Sequence, residues 1–582
     1  MIVLTLCGRA EAAFVIDKSP SRNVTCNNEG AVCSATAPDA VLNVKDLTRL
    51  LDAYNVTLES GSASDIELRA PFSWSKPRQL AFTAAGRVLI LRQLVMEGQG
   101  ELSITGKSVS ILRPVVVEGV GAVSIAGQLS FRGTGRLDLQ NLSATLTINE
   151  TPYLLANSVA TIAQYSYGYV ALVADYDASN DGTYAASPIS SVNVLEGLGH
   201  TISNLSVNDP NTSDNVGLIA TTAGEVDDLG LVNVSITGGD QANVGGLAGI
   251  MYGGVVHDDY VTGTVQGGDT ASEGGLFGAS QADGANNTIL NSWSSATVSG
   301  NYDSRAGGLI GQTYDAFSTI ARNCYATGDV SVPADAQTNG DYAGGLIGMS
   351  SSTEIIDSYA TGSVSTGAGA FAGGLTGYTA RSIKRSFATG SVTAGDSSGV
   401  GGLTGYMGGG TVEQAYASGN ATAGNDSEAG GLMGQQAYGV NVADTYATGA
   451  AAAGTDSYVG ALAGQITNKL KKSYGTGTVS GGAGSAVGGF VGADYSQGQI
   501  DRAYWDTDTT GVRKRSRGAG NLSNDAGIKG LSSATLQARL PRGFSTSIWA
   551  QDAQTNDGFP YLRALPPNGN QRGSTPSKVM TK

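Results

Sequence analysis

The sequence predicts an all-β protein of stacked repeats, a parallel β-helix closed by terminal caps. Three observations predict it. A glycine-rich phrase recurs at nearly constant spacing; the segments between glycines are short and rich in Val, Ile, Thr and Tyr; and the chain combines low charge with enough apolar residues for a core. Glycine makes up 85 of 582 residues, charged residues 14% and hydrophobic residues 41%, against a usual ~7% glycine and ~25% charge.

The phrase is "GGLxG". Its Leu (once Phe) falls at Leu218, Leu247, Leu276, Leu309, Leu346, Leu375, Leu403, Leu432, Leu462 and Phe490, at intervals of 29, 29, 33, 37, 29, 28, 29, 30 and 28. A second phrase, "YATG", keeps the same step with its aromatic at Tyr260, Trp293, Tyr325, Tyr359, Phe387, Tyr416, Tyr446, Tyr474 and Tyr504. Two markers in step over so long a stretch define a repeat array. Helical repeats are excluded, because each glycine costs a helix about 1 kcal/mol. Segments of four to seven β-formers joined by Gly, Asn, Asp and Ser corners read instead as one β-helix turn per repeat.

With a side-chain period of two, the Leu and the glycines two before and two after it share one face, and the residue after the Leu, which varies between copies, faces out. The Leu column then fills the core, each residue contributing about 1.5–3 kcal/mol. Leu247, Leu276, Leu309, Leu346, Leu375, Leu403, Leu432 and Leu462 are its structural members. The glycines are also suited to positive φ at corners. The threonines of "YATG" form a ladder beside the aromatics; which way the aromatic rings face stays open.

The array divides the chain. Residues 1–12 resemble a shortened signal leader ending in Ala-Glu-Ala. Residues 13–55 form an N-terminal segment and cap, with "DLTRLLDAY" (46–54) as a short helix over the open end. Residues 56–145 alternate like irregular β-helix turns, 146–212 are a transition, and 213–500 are the repeats. The aromatic-rich stretch 501–565 is a cap of the kind solenoids need to close the last layer, and 566–582 are a polar tail.

Net charge of −15 argues against nucleic-acid partners and anionic membranes. No apolar run is long enough to span a bilayer. "KLKK" (469–472) and "RKRSR" (513–517) read as solvated loops. Cys26 and Cys33, with six residues between them in a polar loop, are placed to close a small disulfide, as in an oxidising compartment. Cys7 lies in the leader and Cys324 stands alone in a repeat.

Candidate chemistry is sparse. His200 and His257 are the two histidines, and a His-based site would need both to converge. In "DYDASNDG", Asp175, Asp177 and Asp181 precede Gly182 at the spacing of an oxygen-rich loop, which makes calcium the one candidate ion and no other cofactor expected. Asp506 and Asp508 in "DTDTTG" are a fainter version. Asp258 and Asp259 are the obvious acidic pair, but neighbours on a strand point to opposite faces.

The arrayed unit resembles the GLUG motif of filamentous-haemagglutinin-like bacterial exoproteins. The lead-in "LEGLGHTISNLSVNDPNTSDNVGLIA", the "VADYDAS" phrase, the closing "YWDTDTTG…LPRGFSTSIWA…DGFPYL" and the upstream "LTRLLDAYNVTLES…FSWSKPRQLAFTA" extend the likeness over roughly residues 45–565. The resemblance implies a right-handed parallel β-helix that is secreted or held at the bacterial cell surface, adhesin-like, with an outer-membrane secretion partner. The chain departs from the pattern in one respect: residues 13–45 are too short for the usual secretion domain. Some secreted metallopeptidases carry GLUG repeats too, but "HExxH" is missing here, so that activity does not carry over.

The expected function is therefore a non-enzymatic scaffold for attachment, or a stalk. Its unknown surface ligand, glycan or protein, would meet outward positions and loops such as "SVPADAQTNGDY" (331–342). The alternative is a β-helix polysaccharide-degrading enzyme, using clustered carboxylates on one outer face.

Overall fold

The structure, a computed structural model, describes residues 12–27, 31–165, 167–281, 286–314, 318–333 and 340–567. The leader with Cys7, most of the tail and residues 334–339 of the 331–342 insert lie outside the described residues. The chain is nearly all β, built on long parallel sheets. Among the described residues, α-helix is confined to Val44–Ala53, Val159–Gln164 and Ser533–Ala538.

The first helix starts at Asn43, whose side chain accepts from the Lys45 N–H, and it buries Leu47 and Leu51. Residues before it are more than a cap. Ala13–Asp17 pairs in parallel with Asp65–Leu68 and with Val41–Asn43. Val24–Cys26 and Val32–Ala35 form a hairpin with Cys26 opposite Cys33, closed by a disulfide.

Parallel pairing then runs from Asp65–Leu68 through Arg87–Ile90, Glu101–Ile111 and Ala122–Phe131 to Thr145–Ile148. A smaller parallel sheet joins Phe72–Trp74, Leu94–Met96, Val115–Val117 and Leu137–Leu139. The hairpin of Thr145–Ile148 with Thr151–Ala156 ends this part, and Tyr169–Leu172 and Ile189–Glu196 open the next.

From there each strand pairs with the same strand one repeat later. Phe371–Gly373 lies beside Gly399–Gly401, Thr376–Thr379 beside Thr404–Met407, and Phe387–Ala388 beside Tyr416–Ala417. The motif leucines from Leu218 to Leu462 are all buried within one continuous core.

The glycines around them serve close approach. A Cβ built on Gly373 would strike the Thr376 carbonyl, one on Gly374 the Gly402 carbonyl, and one on Gly377 the Ala343 nitrogen. Contrary to the expectation of positive φ, none of the "GGLxG" glycines adopts it. At one corner the left-handed residue is Asp258, Asn291, Asn323, Asp357, Arg385, Gln414, Asp444 and Lys472 in successive repeats; Asn and Asp tolerate αL, and Arg385, Gln414 and Lys472 adopt it as well.

A second correction concerns the residue after the Leu. Ala248, Phe277, Ile310, Ile347, Thr376, Thr404 and Met433 are all buried, not outward-facing. The chain turns at the Leu, and a new strand begins at the next residue. The turn resets the alternation, so both positions enter the core.

The aromatics of "YATG" face outward. Ala326, Ala360 and Ala388 beside them belong to the core, whereas the rings form their own stack. From Tyr260 to Tyr474 successive centroids lie 4.7–5.4 Å apart with planes within 8°. The neighbouring Thr327, Thr361 and Thr389 are exposed.

The C-terminal segment does two things. Ile528–Leu531 adds a last strand beside Ile500–Asp506. Trp549 and Phe544 then pack sideways on Tyr446, Tyr474 and Tyr504, with Trp549 Nε1 donating to Asp444 and the Tyr474 hydroxyl donating to the Pro560 carbonyl. "KLKK" is part of a strand rather than a loop, its Leu470 buried in the core. "RKRSR" is largely exposed and lies outside any strand.

Replacing Leu403 by Ala should cost about 2–5 kcal/mol through lost burial and a cavity, and Leu403→Asp should prevent folding. Gly374→Ala should also destabilise, whereas Thr389→Ala, on the exposed ladder, should stay within about 0.5 kcal/mol. Urea unfolding followed by circular dichroism measures all four.

Candidate functional site

In several repeats two corners are closed by side chains that accept a backbone N–H from the layer before. At one corner, Asp259, Ser292, Ser358 and Ser386 accept from Leu229, Asp259, Cys324 and Ser358. At the other, Asp341, Ser398, Ser427, Ser457 and Ser485 accept from Ser304, Ala370, Ser398, Ser427 and Ser457. Asp259 and Asp341 thus stand in serine positions. Asp259 turns inward and Asp258, in αL, turns out towards His257, so the two do not act as a pair.

Beside the second corner lies a groove of about 540 Å³. Five successive repeats line it: Asn208 and Gln266, then Ser299 and Asn301, then Pro333, over a floor that includes Gly238, Gly267 and Gly300. Pro333 is where the 331–342 insert begins to leave the described residues. Asp240, also in the lining, accepts from the Asp269 N–H, and Asp269 in turn accepts from the Asn301 side chain.

Glu273 lies directly beneath this floor. A Cβ on Gly267 would overlap its Oε1. Its register partners are Val244 and Ala306, so a carboxylate occupies a place otherwise held by small apolar residues. It is fully buried, and neither oxygen has a hydrogen-bond partner of good geometry among the described residues. Burial drives its pKa well up, outweighing the opposing pull of Ser304 and Arg305. Asp341 nearby is raised to about 7, again chiefly by burial. Burial therefore favours the protonated form of Glu273, and the glycine floor shuts it off from the groove.

A second group of acids lies where the first part of the chain meets the repeats. Glu196 is raised to about 8 by burial, with Glu225 adding to the effect, and its Oε1 accepts from the Leu198 N–H. Burial also raises Asp227, to about 11, as well as Asp228 and Asp259, and repulsion among these carboxylates works in the same direction.

The candidate calcium ligands are not brought together. Asp175 accepts from the Thr201 N–H and faces His200 Nδ1 at 3.3 Å and Arg136 at 3.6 Å. Its pKa falls to about 2, because these hydrogen bonds and charges overcome its partial burial. Asp177 caps the Ser179 N–H and accepts from Asn204, and Asp181 accepts from Tyr176 and Tyr184. Asp506 and Asp508 instead tie the end of the Ile500–Asp506 strand to the Ser533–Ala538 helix, through the hydroxyl and the N–H of Ser533. No group of three His, Cys, Asp or Glu placed to hold a metal occurs among the described residues.

The histidines stay apart as well. His200 is buried against the Leu137 carbonyl, whereas His257 contacts Asp258 and Asn291. Cys324 is a buried free thiol, pushed up to about 12 by burial. No helix among the described residues is long and apolar enough to cross a membrane.

The raised acids give stability a definite pH dependence. Glu196 and Asp341 are protonated in the folded chain and ionised in the unfolded one from about pH 4 up to about 8 and about 7, respectively. Their contribution is full below about pH 4 and is lost as pH rises through about 7–8. Asp175 works oppositely, its contribution being lost as pH falls from about 4 through about 2. The melting temperature should therefore be higher at pH 5 than at pH 8.5, and Glu196→Gln should flatten that fall. Asp175→Asn should lower the melting temperature at pH 7, and a calcium chelator should leave the unmodified protein's midpoint unchanged. Differential scanning calorimetry reads each outcome.

No family model matches the chain, and no curated protein is similar to it. Among solved structures, the chain is similar to a crystal structure described as a "putative immunoglobulin A1 protease" from Bacteroides ovatus. Identity is 17% and the TM-score 0.32, over 71% of this chain and 92% of that one.

Proposed function

We propose that this chain is a right-handed parallel β-helix of the GLUG-repeat, filamentous-haemagglutinin-like kind, exported to the bacterial surface or beyond. There it works without enzymatic chemistry, as an attachment scaffold or stalk. The observation that carries the reading is the continuous repeat-to-repeat strand pairing from Ile189–Glu196 to Ile500–Asp506. It makes a long outer surface on a rigid frame, the setting in which loops and grooves commonly carry recognition. The Cys26–Cys33 disulfide suits an oxidising compartment.

The rival reading, a polysaccharide-degrading enzyme, draws on the groove with Asp240 in its lining and the buried Glu273 below, whose burial favours the protonated form. It requires the glycine floor to open, since a general acid must come within hydrogen-bond reach of the bond it cleaves.

Fractionation of the native cell should recover the protein outside the cytoplasm, and the purified chain, immobilised, should retain cells or extracellular material. Incubation with a glycan panel should release no new sugar ends. Reproducible release that is lost in Glu273→Gln would replace the scaffold with the enzyme.

A further inference from the structure

Across the second corner from the groove, two adjoining columns of outward residues run side by side. One passes from Arg305 through Tyr342, Phe371, Gly399 and Glu428 to Tyr458. The other passes from Gln312 through Met349, Tyr378, Tyr406 and Gln435 to Gln465. Their alternation with the buried Ala343, Ala372, Val400 and Ala429 turns them away from the core. We propose that this strip binds an extended, uncharged polysaccharide chain. The proposal rests on the attachment reading above and deepens it by naming a ligand class and a place.

Four rings form the centre of the strip. Tyr342 and Phe371 are 5.9 Å apart, Phe371 and Tyr406 5.1 Å, and Tyr378 and Tyr406 5.6 Å. All four remain partly exposed. This separates them from the ladder on the other face, where Tyr446 and Tyr474 are sealed under the C-terminal segment. Gly399 interrupts the first column beside Phe371: a Cβ there would lie 2.7 Å from Phe371 Cδ1 and 2.9 Å from Cε1. The missing side chain lets the Phe371 ring lean over the next layer towards Tyr406. The result is a cluster spanning three repeats rather than a file of separate rings.

The surroundings decide the ligand class. Sugar rings present C–H faces to aromatic groups and hydroxyls to amides and carboxylates. Gln435 hydrogen-bonds Glu428 beside the rings, and Gln312 and Gln465 extend the amides in both directions. In these columns Arg305 and Glu428 are the charged residues, on a chain of net charge −15, so a polyanionic glycan meets repulsion without compensating contacts. Six layers at roughly 4.8 Å each make a track about 24 Å long. A pyranose unit in an extended chain advances by about one such layer, so the strip matches a polymer better than a single sugar.

The test is affinity electrophoresis and calorimetry of the full chain with laminarin, hydroxyethyl cellulose and yeast mannan, against alginate and heparin, at low and high salt. At least one uncharged polymer should bind, with little salt dependence. The Phe371→Ala/Tyr406→Ala double variant should weaken that binding at least tenfold while keeping its circular dichroism and melting profile. Tyr167→Ala, at an exposed ring in the segment before the repeats, should bind as the unmodified chain does. Three results overturn the proposal: no uncharged polymer binds; the double variant binds as well as the unmodified chain; or only alginate or heparin binds, and salt abolishes it. Retention of cells by the immobilised unmodified chain, without affinity for any uncharged polymer, would overturn the strip and spare the attachment reading. Failure of the unmodified chain to retain anything would overturn both.

Discussion

Neighbouring repeats touch backbone to backbone, and the rest of the molecule is arranged around that closeness. Where a side chain at Gly373, Gly374 or Gly377 would collide with peptide groups of its own or an adjoining layer, an L-residue forces the layers apart and breaks hydrogen bonds on both sides. With the layers held at this distance, a column admits one filler size. Leu375 and Leu403 are repeated for that reason, and the buried serines at the corners serve as fixed acceptors for N–H groups that would otherwise lack a partner. Glycine, leucine and serine therefore express a single geometric demand.

The same demand separates the two kinds of aromatic residue. Rings at Tyr325, Tyr359, Phe387 and Tyr416 stack plane on plane because the register sets them one layer apart, near the distance at which aromatic pairs attract. Where the C-terminal segment turns back, this stack becomes the surface on which Trp549 docks. Rings at Tyr342, Phe371, Tyr378 and Tyr406 sit in columns containing glycine and glutamine, so they tilt and stay accessible. Similar side chains thus cement one face and are displayed on another.

Much of the architecture was legible in the sequence because identical slots demand identical fillers. The Leu positions and the strand character of the segments followed directly from the repeat. Parity did not: the turn at Leu375 resets the alternation, so Thr376 is buried although its variability suggested an outer position. The direction of the rings was equally unreadable, since it depends on a corner at residues such as Asp357 and Arg385 that take αL without glycine. The groove escaped because Asn208, Gln266, Ser299 and Pro333 share no residue type and meet only when five repeats are stacked. Glu273 did leave a signal. Across the copies, the residue before "GG" is Val244, Ala306, Ala343, Ala372, Val400 and Ala429, and only a comparison of these columns exposes one acid among them. The Asp175, Asp177 and Asp181 spacing suggested a shared ion, but His200, Asn204 and Tyr184 each hold a different carboxylate.

Repeat length varies from 28 to 37 residues, and the longest interval includes the 331–342 insert, whose two ends, Ser331–Val332 and Tyr342, keep the pairings of their columns. Since Tyr359–Ala360 meets only Tyr325–Ala326 and Phe387–Ala388 in its column, gain or loss of one whole unit anywhere in the array creates the same junction that already exists elsewhere. The reach of such a molecule can be reset in a single genetic step, while a change of even one residue inside a strand would throw its column out of phase. Size is free to drift in whole numbers and is locked against fractions.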